Sequence, residues 1–183
     1  MEILIKKMNI FLIAALTADG LIARHKNHLA DWTSKEDKTF FRKKTPKGSV
    51  VIMGSTTYKT IGKPLPGRLS IIYTRNPSSP SIEGENSVAK QQKKGVLRFT
   101  NLPPKTLIKS LKRESHKTIA ICGGSTIYTM FLKSGLVQKL YLTIEPILFG
   151  KGLTLFNQNI DKKLKLIKIH KISKQSVVLE YNL

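Results

Sequence analysis

The stretch MGSTTYKTIGKPLPGR, residues 53–68, changes its local chemistry several times over a short span. It begins where the apolar run Val50-Val51-Ile52-Met53, a strand by length and β-branched content, ends at Gly54. Ser55, Thr56 and Thr57 follow at the start of a short helix over 56–61. The first N–H groups of a helix have no partner inside it, so a strand leading into a helix start makes an anion site. Pro64 and Pro66 then stiffen a loop, Gly67 lets it turn, and Arg68 presents a planar fork suited to a carboxylate. One segment therefore offers a phosphate-type site at one end and a carboxylate site at the other.

On either side, strand-like and helix-like runs alternate, the rhythm of an α/β fold. A strand over 9–16 leads into a loop over 17–31. A helix over 34–44 follows, with Ser34 as N-cap and Asp37 three residues later, an acidic variant of the capping box. Beyond the central stretch come strands over 69–74 and 96–100, separated by a polar, turn-rich span (78–95) with at most one weak strand. Pro103 and Pro104 open a helix through 114. A strand over 117–122 meets Gly123-Gly124-Ser125 and a helix over 126–133. A long strand over 136–146 and a hairpin with arms 165–173 and 176–181 complete the chain. No internal repeat or linker interrupts it, and 183 residues suit a single domain over 1–183.

Composition narrows the function. A lone cysteine, Cys122, excludes an internal disulfide framework and a cysteine-built zinc site. His25 and His28 lie close together but lack a third ligand, so no metal is expected. The opening MEILIKKMNIFLIAAL imitates a signal peptide. Its apolar run over 8–16 is short, however, and is followed by Thr17-Ala18-Asp19-Gly20, which reads as a buried strand ending in a turn. No segment approaches the ~20 apolar residues of a membrane span, so a cytoplasmic location is expected. The formal charge is +21, from 32 Lys and Arg against 11 Asp and Glu. Nucleic-acid binding would use such a surface. The lysines are scattered, though, with small clusters at Lys43-Lys44, Lys93-Lys94 and Lys162-Lys163, and no nucleic-acid motif accompanies them. Solvated surface lysine is the favoured reading, with a field that draws in anionic ligands.

The 53–68 stretch resembles the dihydrofolate reductase family, whose pattern is roughly MGRxTWxSIGxPLPGR. The resemblance runs through four ordered blocks from Asn9 to about Phe156. It implies a mixed, mostly parallel central sheet flanked by helices, with a C-terminal antiparallel hairpin. In the block Asp31-Trp32-Thr33-Ser34-Lys35-Glu36-Asp37, Trp32 and Asp37 stand at the family spacing of tryptophan and pterin-pocket carboxylate. Asp37 would then accept hydrogen bonds from the pterin N3–H and exocyclic amine, and favour protonation at N5 as hydride reaches C6. Read without the resemblance, Asp37 is a helix N3 residue satisfying the helix terminus. A slip of one residue would exchange it for Glu36. Helical phasing separates them, since Asp37 shares a face with Phe41 and Glu36 with Phe40.

The remaining roles come from the same resemblance. In IAALTADGLIA (13–23), backbone groups of Ala15 and Ile22 would hold the nicotinamide carboxamide, and Ala15 would also border the substrate. By residues alone this block is a core strand and turn, and the loop after it is about two residues longer than the common bacterial form. Gly123 and Gly124 would lie against the cofactor pyrophosphate, with Cys122, Ser125, Thr126, Ile127 and Tyr128 around them. Gly54, Ser55, Thr56, Thr57 and Thr74 would add cofactor contacts. Thr143, in LYLTIEP, would reach the pterin in concert with Asp37; alone it is a half-buried strand threonine. Phe41, Ile61 and Leu65 would line the channel for the aminobenzoyl ring, and Arg68 would bind the glutamate α-carboxylate.

Two departures stand out. Ser55 occupies the place where the family has an arginine on the cofactor 2′-phosphate, and Arg75 is the residue that can supply the missing charge, which favours NADPH over NADH. GLVQKLYLTIEPILFGKGLTLF (135–156) looks more like the related riboflavin-pathway reductases, which reduce a phosphorylated ribosylaminopyrimidine with NADPH. The expectation is therefore an NADPH-dependent reduction of 7,8-dihydrofolate to tetrahydrofolate in one-carbon metabolism, by a monomer or homodimer. A pyrimidine phosphate is the alternative substrate, and a basic nucleic-acid-binding module a third, remoter possibility. Arg68 distinguishes the first two, because a ribose phosphate needs no carboxylate clamp.

Overall fold

The computed structural model describes residues 8–78 and 96–183. Most of the turn-rich stretch expected at 78–95, including Lys93-Lys94, thus lies outside the described residues. The described strands that pair in the main sheet are β1 (Asn9–Thr17), β3 (Val50–Gly54), β4 (Leu69–Tyr73), β5 (Val96–Thr100), β6 (Thr118–Ile121), β7 (Lys139–Glu145), β9 (Lys165–Lys171) and β10 (Val177–Asn182). They form one sheet in the order β5-β4-β3-β6-β1-β7-β10-β9. Pairing is parallel from β5 across to β7 and antiparallel through β7, β10 and β9. This is the mixed, mostly parallel sheet with a closing hairpin that the sequence implies.

The continuous apolar runs of β1, β3 and β4 follow from burial on both faces, as parallel strands require. Alternate residues serve opposite sides. Ile10, Leu12, Ala14, Val50, Ile52, Ile71, Ile119 and Ile121 face a cluster that includes Leu107, Ile108 and Leu111 of α3 (Pro104–Arg113). Ile127, Phe131 and Leu132 of α4 (Ser125–Lys133) join the same side. Phe11, Ile13, Val51, Met53, Ile72 and Ala120 face the other cluster, with Phe40 of α1 (Lys35–Lys44) and Tyr58 of α2 (Ser55–Ile61). Fully burying each such Leu or Ile contributes about 1.5–3 kcal/mol.

The expected elements are present, with end residues moved by one to three positions. The strand expected over 136–146 spans only Lys139–Glu145. The stretch 17–31 is a correction: it is not all loop. β2 (Leu21–Ala23) lies inside it and pairs antiparallel with β8 (Leu153–Thr154), which also had no sequence signal. Tertiary contacts create this small sheet. The Leu21 N–H donates to Thr17 Oγ1 at 2.9 Å. Gly152 lets the two backbones approach, since a Cβ there would come within 2.2 Å of the Ala23 carbonyl oxygen.

Candidate active site

The site begins at the first turn of α1. Ser34 is the N-cap, and its Oγ accepts the Asp37 N–H at 3.0 Å, so the cap that starts the helix also sets the Asp37 backbone. The Asp37 side chain points back to β7, where the fully buried Thr143 hydroxyl donates to Asp37 Oδ1 at 2.6 Å. Glu36 is exposed while Asp37 is partly buried and bonded to Thr143. Burial raises the Asp37 carboxyl above its ordinary value; the Thr143 hydrogen bond opposes this, and the nearby Glu145 charge adds to it. A carboxyl in such a place holds a proton more readily than a surface aspartate and still accepts hydrogen bonds when ionised.

α1 carries the site onward. Asp37, Phe41 and Thr45 follow one another at intervals of four and so lie along one side of the helix. Phe41 is half-buried and, with Ile61 and Leu65, packs against the cluster on this face of the sheet. At the C-cap, the Thr45 carbonyl and Oγ1 accept the Arg68 Nε–H at 2.6 and 3.1 Å, and the Pro66 carbonyl accepts from Nη1 at 3.0 Å. These bonds fix the guanidinium and leave Nη2 with no hydrogen bond among the described residues. No carboxylate among the described residues pairs with Arg68. Eight residues of helix at 1.5 Å each separate the Asp37 and Thr45 backbones by about 12 Å along the axis, with this cation bonded at the far end.

The ends of the parallel strands form the other half. β1 and β7 are in register at Ala15 and Thr143, and Ala15 is the half-open residue in an otherwise buried run of β1. β3 ends at Gly54, whose N–H donates to the Gly123 carbonyl at 2.8 Å, and the Gly123-Gly124 peptide is cis. The starts of α2 and α4 touch here. A Cβ at Gly124 would stand 3.3 Å from Thr57 Oγ1, and one at Gly54 3.3 Å from the Ile127 side chain. Gly123 has φ +112° and lies against the Tyr128 ring, whose buried hydroxyl donates to the Ile13 carbonyl at 2.8 Å. Two helix starts lined by glycine therefore present backbone N–H groups side by side, a cradle suited to a pyrophosphate.

Other expected residues are placed less directly. The Ser125 hydroxyl donates to the Thr154 carbonyl, and Thr126 Oγ1 accepts from Asn157, so both side chains are engaged away from the cradle. Burial pushes the half-open Cys122 thiol up to about 12, which keeps it protonated and unreactive. Ser55 and Thr56 are half-exposed on the first turn of α2. Thr74 is tied by its N–H to the Thr100 carbonyl, and the next residue but one from β4, Arg75, is exposed. Ile22 sits in β2 and packs on the core. Trp32 meets the Phe149 ring edge-on at 5.1 Å, and the Arg24 guanidinium covers that ring at 4.0 Å. This contact holds the 24–32 segment against the loop after β7.

One residue of the site was missed in the sequence. Glu145 is only 3% exposed, and its carboxylate accepts from the Ser34 N–H at 2.9 Å, the Ser34 hydroxyl at 2.7 Å and the Ser176 hydroxyl at 2.7 Å. Strand parity was the available signal, since Glu145 must share a face with Thr143 two residues earlier. Among the described residues there is no group of three or more His, Cys, Asp or Glu that could hold a metal ion, and no helix long and apolar enough to cross a membrane.

Residues 9–178 match the family model described as dihydrofolate reductase. A dihydrofolate reductase of Buchnera aphidicola subsp. Baizongia pistaciae is 33% identical over 144 residues, covering 78% of this chain and 75% of that one. Among solved structures, a diaminohydroxyphosphoribosylaminopyrimidine deaminase/5-amino-6-(5-phosphoribosylamino)uracil reductase of Thermotoga maritima superposes with a TM-score of 0.72 at 18% identity. It covers 97% of this chain, which spans only 57% of that longer one. Dihydrofolate reductase from Enterococcus faecalis, complexed with NADP(H) and RAB-propyl, gives a TM-score of 0.66 at 18% identity, covering 95% of each chain. At such identities the two structures speak to the fold alone.

Proposed function

This chain belongs to the dihydrofolate reductase family, and we propose that its reaction is the NADPH-dependent reduction of 7,8-dihydrofolate to 5,6,7,8-tetrahydrofolate. The observation that carries this reading is the spacing along α1. A hydrogen-bonding carboxylate at the start of α1, an apolar middle and a cation anchored at its C-cap follow one another along a helix whose rise from Asp37 to Thr45 is about 12 Å. That pattern suits a ligand with a heterocycle at one end, an aromatic linker and a carboxylate at the other.

The cofactor fits the residues present. Gly54 and Gly124 let the starts of α2 and α4 approach each other closely, and the first turns of the two helices supply N–H donors for its phosphates. When bound, NADPH supplies the hydride. Ala15, at the open end of β1, offers backbone groups to the carboxamide, and Arg75 stands free to meet a 2′-phosphate. Asp37 accepts the pterin N3–H and amine, orients the ring and, through its negative charge, favours protonation at N5 as hydride arrives at C6. Thr143 fixes the Asp37 carboxyl, Phe41, Ile61 and Leu65 take the aminobenzoyl ring, and Arg68 takes the glutamate carboxylate. Juxtaposition, together with exclusion of water by the 24–32 segment held through Trp32, provides most of the acceleration.

The test is NADPH oxidation by purified protein with and without dihydrofolate, repeated with Asp37→Asn. Dihydrofolate-dependent turnover lost in the variant supports the assignment. NADPH binding without dihydrofolate turnover, but with oxidation driven by a phosphorylated ribosylaminopyrimidine, would transfer the chain to the riboflavin-type reaction suggested by residues 135–156.

A further inference from the structure

Glu145 is a buried carboxylate with no place in the reaction just described. No basic side chain among the described residues forms an ion pair with it. Three donors satisfy it instead, two from Ser34 and one from Ser176. Its location explains why these are worth keeping. Thr143 and Glu145 are two apart on β7 and project from the same face. Ser34 and Asp37 are three apart on the first turn of α1. Thr143 holds Asp37, and Glu145 holds Ser34, which in turn receives the Asp37 N–H. The strand grips the helix start at two points, and Ser176, at the turn before β10, braces the second of them.

We propose that Glu145 is a positioning residue for Asp37, locking the N-cap of α1 to the end of β7 so that the Asp37 carboxyl stays aimed at the Thr143 hydroxyl and the substrate. This rests on the reading of Asp37 as the substrate-binding carboxylate. Glu145 touches no reacting atom; it acts through Ser34. It also acts through its charge. The charged and titratable groups that face Asp37 are Lys38 on its own helix, Glu145 on β7 and Tyr128 on α4. Glu145 is the one that disfavours the Asp37 anion while also contacting its cap. Clamp and charge can be separated, because a glutamine at 145 keeps an acceptor for Ser34 and gains an amide donor for the Ser176 hydroxyl.

The experiment follows the Asp37 carboxyl by 13C NMR across pH in the wild type and in Glu145→Gln. It also follows amide exchange at Asp37 and Lys38 in the wild type and in Glu145→Ala. The glutamine variant is expected to move the Asp37 titration to lower pH, and to carry the alkaline fall in kcat with it. The alanine variant is expected to speed exchange at both amides and to lower kcat by about 10–100-fold, with the Kd for NADPH unchanged. Unchanged exchange in Glu145→Ala would overturn the positioning role, and an Asp37 titration identical in wild type and Glu145→Gln would overturn the action through charge. If the alanine variant does not fold, amide exchange at Asp37 and Lys38 in Ser176→Ala, which removes one of the three donors that hold Glu145, decides in its place: faster exchange supports the clamp and unchanged exchange overturns it. Both spectroscopic readouts are independent of substrate, so failure of the dihydrofolate assignment would show in turnover alone.

Discussion

Arg68→Ala tests the carboxylate end of the proposed ligand. In the folded chain the guanidinium is held by the Thr45 carbonyl and hydroxyl and the Pro66 carbonyl, with Nη2 left over. An anchored fork of this kind gives a carboxylate two charge-assisted hydrogen bonds without first paying for side-chain ordering. Such bonds contribute about 1.5–3 kcal/mol each when both partners are desolvated. Arg68 is half-exposed, so the pair together is taken near the low end, about 2–3 kcal/mol. That corresponds to a roughly 30- to 150-fold fall in kcat/KM for dihydrofolate. A second effect must be separated from it: the buried Thr45 loses a donor, which costs about 1 kcal/mol of stability and lowers the melting temperature. The control is a dihydropterin without the glutamate tail, assayed beside dihydrofolate by NADPH absorbance. The variant should leave kcat/KM for the tail-free substrate within a fewfold of wild type. An equal fall for both substrates would show that Arg68 shapes the fold rather than the tail site.

Asp37→Asn should reduce turnover by about 10²-fold or more, most at high pH, with NADPH affinity kept. Because the Asp37 carboxyl is raised in the folded state, its contribution to stability is full at low pH and is lost as pH rises through its folded value. The asparagine variant should therefore melt no lower than wild type at pH 7, and a clear drop would contradict the buried-charge account. Glu180 behaves in the opposite sense. Burial pushes its carboxyl up, but hydrogen bonds from Lys139 at 2.7 Å and His170 at 2.8 Å prevail and hold it at about 2. Glu180→Gln should cost about 2–3 kcal/mol in urea unfolding at pH 7, with the difference fading as the wild type is acidified from about pH 4.5 towards 2. A constant difference across that range would refute it. Gly152→Ala should destabilise by about 1–3 kcal/mol and expose residues 18–32 to protease, since its Cβ would collide with the Ala23 carbonyl. Arg75→Ala should lower the preference for NADPH over NADH in kcat/KM; an unchanged ratio would remove Arg75 from 2′-phosphate recognition.

The parts of the fold that could be read in advance are those where one local rule suffices. Val50–Met53 and the core of β1 announce themselves because both faces of a parallel strand are covered, leaving no polar residue in the run. Ser34 and Asp37 announce α1 by the spacing of a cap. β2 and β8 could not be seen, because strands of three and two residues carry no period and exist only through the Thr17 hydroxyl and the missing side chain at Gly152. Strand order was equally hidden from local rules: β1 lies between β6 and β7, distant partners that only the resemblance could suggest. Thr143 depended on it too, since a threonine in a strand is ordinary until something comes to face it.

Glu145 shows why a candidate site is harder to read than a fold. By composition it is a glutamate next to Pro146 at the end of a strand, where an exposed charge is the natural expectation. Its burial follows from three conditions that no single segment carries. α1 must start opposite the end of β7, the turn before β10 must bring Ser176 alongside, and β7 must keep the parity that aims Thr143 at Asp37. Each condition is modest, and together they turn a surface residue type into a buried one without a countercharge. Asp37 itself depends on several elements in the same way. A carboxylate set into an apolar wall weakens the folded state as it ionises, and the fold tolerates it because the Ser34 cap and the Thr143 hydroxyl are already in place. Stability alone would favour replacing Asp37 with a neutral residue of similar shape. The presence of Asp37 beside Thr143 is therefore best explained by what the carboxyl does there, and that is the strongest physical reason to look for a proton-dependent reaction at this cap.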